Sequence, residues 1–421
     1  MKLAILLLAV AAQALTSHAD PNAEWGHWRG PTGNSTSPSA DPPVHWNPTT
    51  HIKWKVAIPG HGSSSPVVWG EKIFVTSAVG PVEGKDPKTP QKFTLYCIDR
   101  KDGKVLWQKV AAEAVPHEGH HDHHGFASAS PITDGKRVFA PFGSRGLFAY
   151  DMDGNLLWSR TDFGKMETRN GFGEGSSPTL HGDTVIVPWD HEGESKLFAL
   201  DTATGKDRWV TKRDEPTSWD TPLVVEHDGK KQVITSGQNF AMGYDFETGK
   251  EIWRCAGQTQ RPVASAVSAD GIAYVGSGFR GAFLGAFKLG AKGDLKGTDA
   301  ILWEKNEYTP DIPSLLLSGG RLYYTARKSA ILSCVDAKTG EAHYENERVD
   351  GVRELYSSPV AAAGRIYITG RDGSTTVIED GEDLEVLATN SVGEPVDSTP
   401  ALVGKDIIIR GAKHLFRISK P

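Results

Sequence analysis

Short apolar runs broken by turn-forming residues recur along the chain. The clearest copy is Leu197-Phe198-Ala199-Leu200-Asp201-Thr202-Ala203-Thr204-Gly205-Lys206-Asp207-Arg208-Trp209. Leu197 to Leu200 reads as a strand. Asp201, Thr204 and Gly205 read as a tight turn, with Gly205 free to take the left-handed backbone conformation, and Trp209 ends a second strand. The phrase returns as Leu95-Tyr96-Cys97-Ile98-Asp99 with Gly103 and Trp107, and as Leu147-Phe148-Ala149-Tyr150-Asp151 with Gly154 and Trp158. It returns again as Met242-Gly243-Tyr244-Asp245 with Thr248, Gly249 and Trp253. Looser copies end at Trp303 and, after Asp336, Thr339 and Gly340, at Tyr344. Recurrence every few tens of residues marks a repeat architecture.

Each unit opens on small residues ahead of a β-branched strand: Ser64-Ser65-Pro66, Ala129-Ser130-Pro131, Ser176-Ser177-Pro178, Asp220-Thr221-Pro222, Ala264-Ser265-Ala266, Pro313-Ser314-Leu315, Ser357-Ser358-Pro359 and Ser398-Thr399-Pro400. The third residues of these eight openings lie mostly 41–49 apart, with one step of 65. Small side chains suit strands crowded round an axis. The closing aromatics Trp107, Trp158, Trp209, Trp253, Trp303 and Tyr344, with Leu387 in the seventh unit, suit the widening gaps outside. The eighth unit stops at Leu415-Phe416-Arg417-Ile418 with three strands. Its fourth is assigned to Ile52-Lys53-Trp54-Lys55-Val56, because Trp54 stands where a repeat tryptophan belongs. The expectation is all-β: an eight-bladed β-propeller of four-stranded antiparallel blades, closed by this N-terminal strand, in one domain over residues 51–421 behind an arm at 20–50. An open solenoid would need capping repeats and leaves Trp54 unexplained.

Composition agrees: the 421 residues include 46 Gly, 25 Pro and 12 Trp. A net charge of −6 gives no polybasic footprint for nucleic acid or an anionic membrane. Residues 1–19 combine Lys2, an apolar run from Leu3 to Leu15, and Ser17-His18-Ala19, the pattern of a secretory signal peptide. No other stretch approaches the apolar length of a membrane span, so the mature chain is expected to be periplasmic or secreted and monomeric. Cys97, Cys255 and Cys334 fit no zinc or CxxC spacing, and Cys97 and Cys334 share the repeat slot of Ala199. They are expected to be small core residues.

The A-x-D-x-x-T-G-K-x-x-W phrase with S-S-P openings resembles the quinoprotein (PQQ-repeat) eight-bladed propellers. Trp28-Arg29-Gly30-Pro31 looks like the start of secreted PQQ-like repeat proteins of bacteria, and the resemblance covers about residues 25–419. It implies the fold. For function it implies two classes, since the superfamily holds alcohol dehydrogenases and the propeller lipoprotein of the outer-membrane assembly machine. The dehydrogenases carry a vicinal disulfide under the quinone, and no two cysteines here are adjacent.

Chemistry is expected on one face, where loops after fourth strands meet those between second and third strands. His117, His120, His121, Asp122, His123 and His124 crowd one such loop, with Glu118, and are the candidate divalent-metal ligands; a solvated loop is the alternative. Arg145, Arg280, Arg327 and Arg371 fall in corresponding second-to-third-strand turns, and Arg261 and Arg353 in adjacent fourth-strand loops. Such guanidinium groups would favour a carboxylate- or sulfate-bearing ligand unless they cap turns or pair with Glu174, Asp190, Asp311 or Asp372. Trp189-Asp190-His191-Glu192 and Thr217-Ser218-Trp219-Asp220 offer a sugar- or quinone-stacking group, with rim packing the favoured reading. The expectation is an exported binding or scaffold protein of the bacterial cell envelope that recognises a protein partner, anionic small molecule or glycan. The alternative is a PQQ-dependent oxidoreductase acting on alcohols or sugars. PQQ and a divalent metal are the cofactors to test for.

Overall fold

Fourfold alternation of turn and apolar run becomes eight antiparallel sheets in a computed structural model that describes residues 24–80 and 89–420. The expected signal peptide, residues 1–19, lies outside the described residues. In chain order the innermost strands of blades one to eight are Val67–Trp69, Ile132–Thr133, Thr179–His181, Leu223–His227, Val267–Ala269, Leu316–Ser318, Val360–Ala362 and Ala401–Val403. In blade three the next strands outward are Thr184–Trp189, Lys196–Asp201 and Asp207–Lys212. Two blades depart from the expected four strands: Gly293–Asp294 adds a parallel fifth outside blade four, and Thr36–Ser37 adds one inside blade seven. Among the described residues helix is confined to two 3-10 turns, Gly143–Arg145 and Arg169–Gly171, and no helix is long and apolar enough to cross a membrane.

The ring closes as the repeat count requires. Ile52–Ala57 pairs antiparallel with His414–Ser419, placing Trp54 opposite Arg417 as the outer strand of blade eight. Each repeat tryptophan then latches onto the next blade. Its indole N–H donates to the carbonyl just after that blade's turn aspartate: Trp54 to Arg100 (2.9 Å), Trp107 to Met152 (3.2 Å), Trp158 to Thr202 (2.9 Å), Trp209 to Phe246 (2.8 Å) and Trp303 to Ala337 (3.0 Å). The ring lies against the glycine of the same turn. A Cβ on Gly205, at φ +69, would meet Trp158 at 2.6 Å. The turn itself is held by Asp201, whose Oδ1 accepts the N–H groups of Ala203 and Thr204. Trp253 differs. Blade five replaces this turn with the segment carrying Gly293–Asp294, and the indole turns inward to Gln232 Oε1 at 3.1 Å and stacks on Phe287. Cys97 and Cys334 take the slot of Ala199, each opposite the closing aromatic, and all three cysteines are buried and free.

Small residues near the axis do more than fit. The backbone N–H of the middle residue in one opening donates to the hydroxyl of the next: Ser65 to Ser130, Ser130 to Ser177, Thr221 to Ser265, Ser265 to Ser314, Ser314 to Ser358, Ser358 to Thr399 and Thr399 back to Ser65, at 2.9–3.0 Å. Where Thr221 stands, its hydroxyl accepts the indole N–H of Trp28 at 3.1 Å. Trp28 belongs to the N-terminal arm, which crosses the face of the ring opposite the variable loops. The arm bonds in turn to Val68 in blade one, Thr133 in blade two, Ser268 in blade five and Ala361 in blade seven before joining blade eight.

Candidate functional site

Strand direction places the second-to-third-strand turns and the connections between blades together on one face, and the arginines there divide. Arg261, Arg327 and Lys328 gather round Asp311, and Arg280 and Arg169 lie beside Arg261. The guanidinium of Arg261 lies 3.6 Å from the ring centroid of Phe279 and 5.3 Å from that of Phe172. Burial, then the charges of Arg280 and Arg169, hold Arg261 below its ordinary pKa, and burial raises Asp311 despite the cations near it. Among the described residues no carboxylate lies within ion-pair distance of Arg169, Arg261, Arg280, Arg327 or Lys328. Three of them, Arg261, Arg280 and Arg327, hold left-handed backbone at φ 54, 53 and 57, a conformation uncommon outside glycine that concentrates at functional sites.

The other three arginines do not join this group. Arg371 is spent on Asp397 (2.7 Å) and Glu354 (3.2 Å) and lies over Tyr356. Arg145 donates to His117 Nδ1 at 2.8 Å. Arg353 is exposed on the blade-six connection. Arg169 carries no motif; its cue was position alone, in the long connection that follows the blade-two strand Leu156–Arg160.

The histidine run is divided as well. His117 meets Glu118 and Glu174 with ligand atoms within 4.8 Å of one another, a possible cation geometry. Both ring nitrogens are nevertheless engaged, Nε2 with Met166 O at 2.6 Å and Nδ1 with Arg145, so a metal would have to displace a guanidinium. Glu174 also binds the N–H and hydroxyl of Ser144, and Glu118 those of Thr168. The other four histidines pack instead against rings: His120 edge-on to Phe126, His121 edge-on to Phe172, His123 tilted on Tyr356 and His124 parallel to His121. Burial lowers His124 to about 4, and its Nδ1 bonds the Ser128 hydroxyl. Asp122 lies exposed in the turn closed by His124 N–H to His121 O.

The third cluster is mostly packing. Trp189 is buried against Phe163 and Phe198. Asp190 takes both arms of buried Arg213, at 2.7 and 2.9 Å, and the hydroxyl of Ser218 at 2.8 Å. Trp219 alone reaches an open space, the axial cavity of about 160 Å³, whose floor is Trp28 and whose mouth carries His123, His124, Tyr356 and Asp397.

This architecture has relatives. The family described as outer membrane protein assembly factor BamB matches residues 43–170 and 154–286, more than half of the chain. The chain belongs to the BamB family. It is 24% identical over 275 residues to a polyvinylalcohol dehydrogenase of a Pseudomonas species, an alignment covering 55% of this chain and 40% of that protein. The chain thus spans well under half of that relative. It is 22% identical over 369 residues to BamB of Burkholderia pseudomallei strain K96243, covering 83% of this chain and 82% of that one. A quinohemoprotein alcohol dehydrogenase of Comamonas testosteroni has the same fold, with a TM-score of 0.64 at 11% identity over 96% of this chain and 82% of its own.

The fold is thus shared with a quinohemoprotein alcohol dehydrogenase, and PQQ, an aromatic quinone bearing several carboxylates, is the group to test against this cavity. The axial cavity does not fit such a group. At about 160 Å³ it is smaller than the roughly 300–1,000 Å³ of sites for molecules of that size. Its wall carries hydroxyls and Asp397, whose charge is already matched by Arg371, and among the described residues that line it there is no lysine or arginine to take the carboxylates.

Proposed function

We propose that this BamB-family protein is an exported binding protein of the bacterial cell envelope that docks an acidic segment of a protein partner on the rim formed by Arg169, Arg261, Arg280, Arg327 and Lys328. The observation that carries the reading is this rim itself. Five cations cluster round Arg261 and Asp311, a carboxyl that burial raises, in a chain whose net charge is −6, and three of them are held in strained backbone. A guanidinium lying on phenylalanine faces keeps its edge for a bidentate carboxylate. The secretory pattern at residues 1–19 supports export, and the assembly-factor name of the Burkholderia relative supports a protein partner. An anionic glycan would use the same rim.

The test is the double charge reversal Arg261→Glu/Arg280→Glu. Immobilised wild type is expected to capture envelope proteins that elute with moderate salt, and the variant to lose them while keeping its circular dichroism spectrum. Retention on sulfated dextran with no captured protein would assign the rim to a glycan. Equal capture by both proteins would sink the reading. A PQQ oxidoreductase is the second reading, favoured by the polyvinylalcohol dehydrogenase relative. Reconstitution with PQQ and calcium, followed by dye reduction with alcohols or aldose sugars, would replace the binding reading if turnover appeared.

A further inference from the structure

Three arginines are almost wholly buried, and the molecule treats one of them differently. Arg213 is held by both oxygens of Asp190 and by the hydroxyls of Thr235 and Tyr244. Arg410 reaches the Ser64 hydroxyl and the Thr76 carbonyl. Arg29, in the arm beneath the ring, is 2% exposed, and its Nη2 donates to Leu315 O. Its Nε and Nη1 have no acceptor among the described residues. Guanidinium N–H groups removed from water without an acceptor cost several kcal/mol, and a buried cation without a counter-charge costs more.

Arg29 lines a cavity of about 130 Å³ between the arm and blades three to five. No aspartate or glutamate contributes to its wall, whereas the hydroxyls of Thr32 and Thr221 do. The nearby His27 cannot act as counter-ion. Burial and the charge of Arg29 push it to about 3, and its Nδ1 accepts the Arg29 backbone N–H at 3.1 Å. The ring of Trp28, 5.1 Å from the guanidinium carbon, covers one face of the group and leaves its N–H edge for a ligand. The arm turns tightly here. Gly30 and Gly33 are both at φ +73, and a Cβ on Gly33 would meet Leu223 at 2.7 Å.

We propose that this cavity binds one small anion, a halide or a carboxylate or oxyanion of a few heavy atoms, on the Nε and Nη1 edge of Arg29. Size sets the class. A water occupies about 30 Å³ in the liquid, so the space suits a group of a few heavy atoms and excludes a nucleotide or a sugar chain. The anion supplies the missing acceptors and the missing charge, and fixes the arm whose Trp28 floors the axial cavity. The rim on the opposite face plays no part, so the two sites stand or fall separately.

The experiment is thermal unfolding of the full chain at constant ionic strength, with sodium gluconate as the bulky background replaced stepwise by chloride, bromide, acetate or sulfate. A saturable rise of a few degrees with at least one small anion is expected, and Arg29→Met should abolish it. The arms distinguish halide from carboxylate and sulfate. A crystal soaked in bromide should show an anomalous peak within hydrogen-bond reach of Nε or Nη1; this measurement stands even where Arg29→Met does not fold. Identical unfolding in every anion with no peak at Arg29 would overturn the proposal, as would a rise left undiminished in Arg29→Met.

Discussion

Asp220 is an acid placed where an acid is costly. It lies wholly inside the wall between blades three and four, accepting the Ser236 N–H at 2.8 Å, and burial followed by the charge of Asp190 pushes it up to about 7. Glu215 nearby rises to about 7, chiefly from burial. A carboxyl whose folded pKa exceeds its unfolded value stabilises most when protonated. Its contribution is complete below about pH 4 and is lost as pH rises through 7. Asp220→Asn should therefore match wild type near pH 4 and exceed it by on the order of 4 kcal/mol at pH 8, read from urea midpoints across that range. Glu215 will keep part of the slope in the variant.

At this scale the sequence was a partial guide. The run from His117 to His124 advertised metal ligation, yet the partners that decide it, Arg145, Met166 and Glu174, come from other blades and carried no local signal. Arg371 and Arg280 occupy equivalent turns and look alike in one dimension. The positions of Asp397 and Glu354, brought in by the neighbouring connections, separate an ion-paired group from an unpaired one.

Among the elements, the latch between neighbouring blades accounts for the repeat phrase. The glycine answers to two constraints, its positive φ and the indole lying on it, and two positions separate them. Gly182 sits at φ +58 with nothing within 4 Å of an added Cβ, whereas Gly205 at φ +69 would drive that carbon into Trp158. Gly182→Ala should cost about 1 kcal/mol, from backbone strain alone, and Gly205→Ala roughly 2–4 kcal/mol, strain plus an overpacked contact. Equal shifts in guanidinium midpoint would show that the indole contact carries nothing. Periodicity revealed that phrase and its outward aromatics. It could not show that each tryptophan seals the following blade's turn, because indole and glycine are separated by most of a unit in the chain. Nor could it show that Trp253 would turn inward, a consequence of the replaced turn in blade five. Crowding explained the serines at each opening, while the hydroxyl-to-backbone circuit became visible only once neighbouring blades were side by side.

For the molecule as a whole, the two faces have different duties. One is spent on latches and the arm, and the other is left to the loops. Trp54→Ala attacks the first at its one chain-end seam, removing the indole that docks on Arg100 O and Gly103. It should cost roughly 3–5 kcal/mol and expose residues around Ile52 to limited proteolysis, with rim binding unchanged until the ring opens. The fold was legible because ring closure is arithmetic: eight openings, seven closing residues and one spare tryptophan leave one solution.

That solution has a consequence in time. Ile52–Ala57 waits for His414–Ser419, strands more than three hundred residues apart in the chain. Joining ends so distant costs loop entropy before any contact rewards it, and topologies of this kind fold slowly. A chain emerging in order from a ribosome or a translocation pore therefore cannot complete its last blade until synthesis or transport has nearly finished. Until then the first strand it makes is an unpaired edge, and the cell must keep that edge from finding another partner.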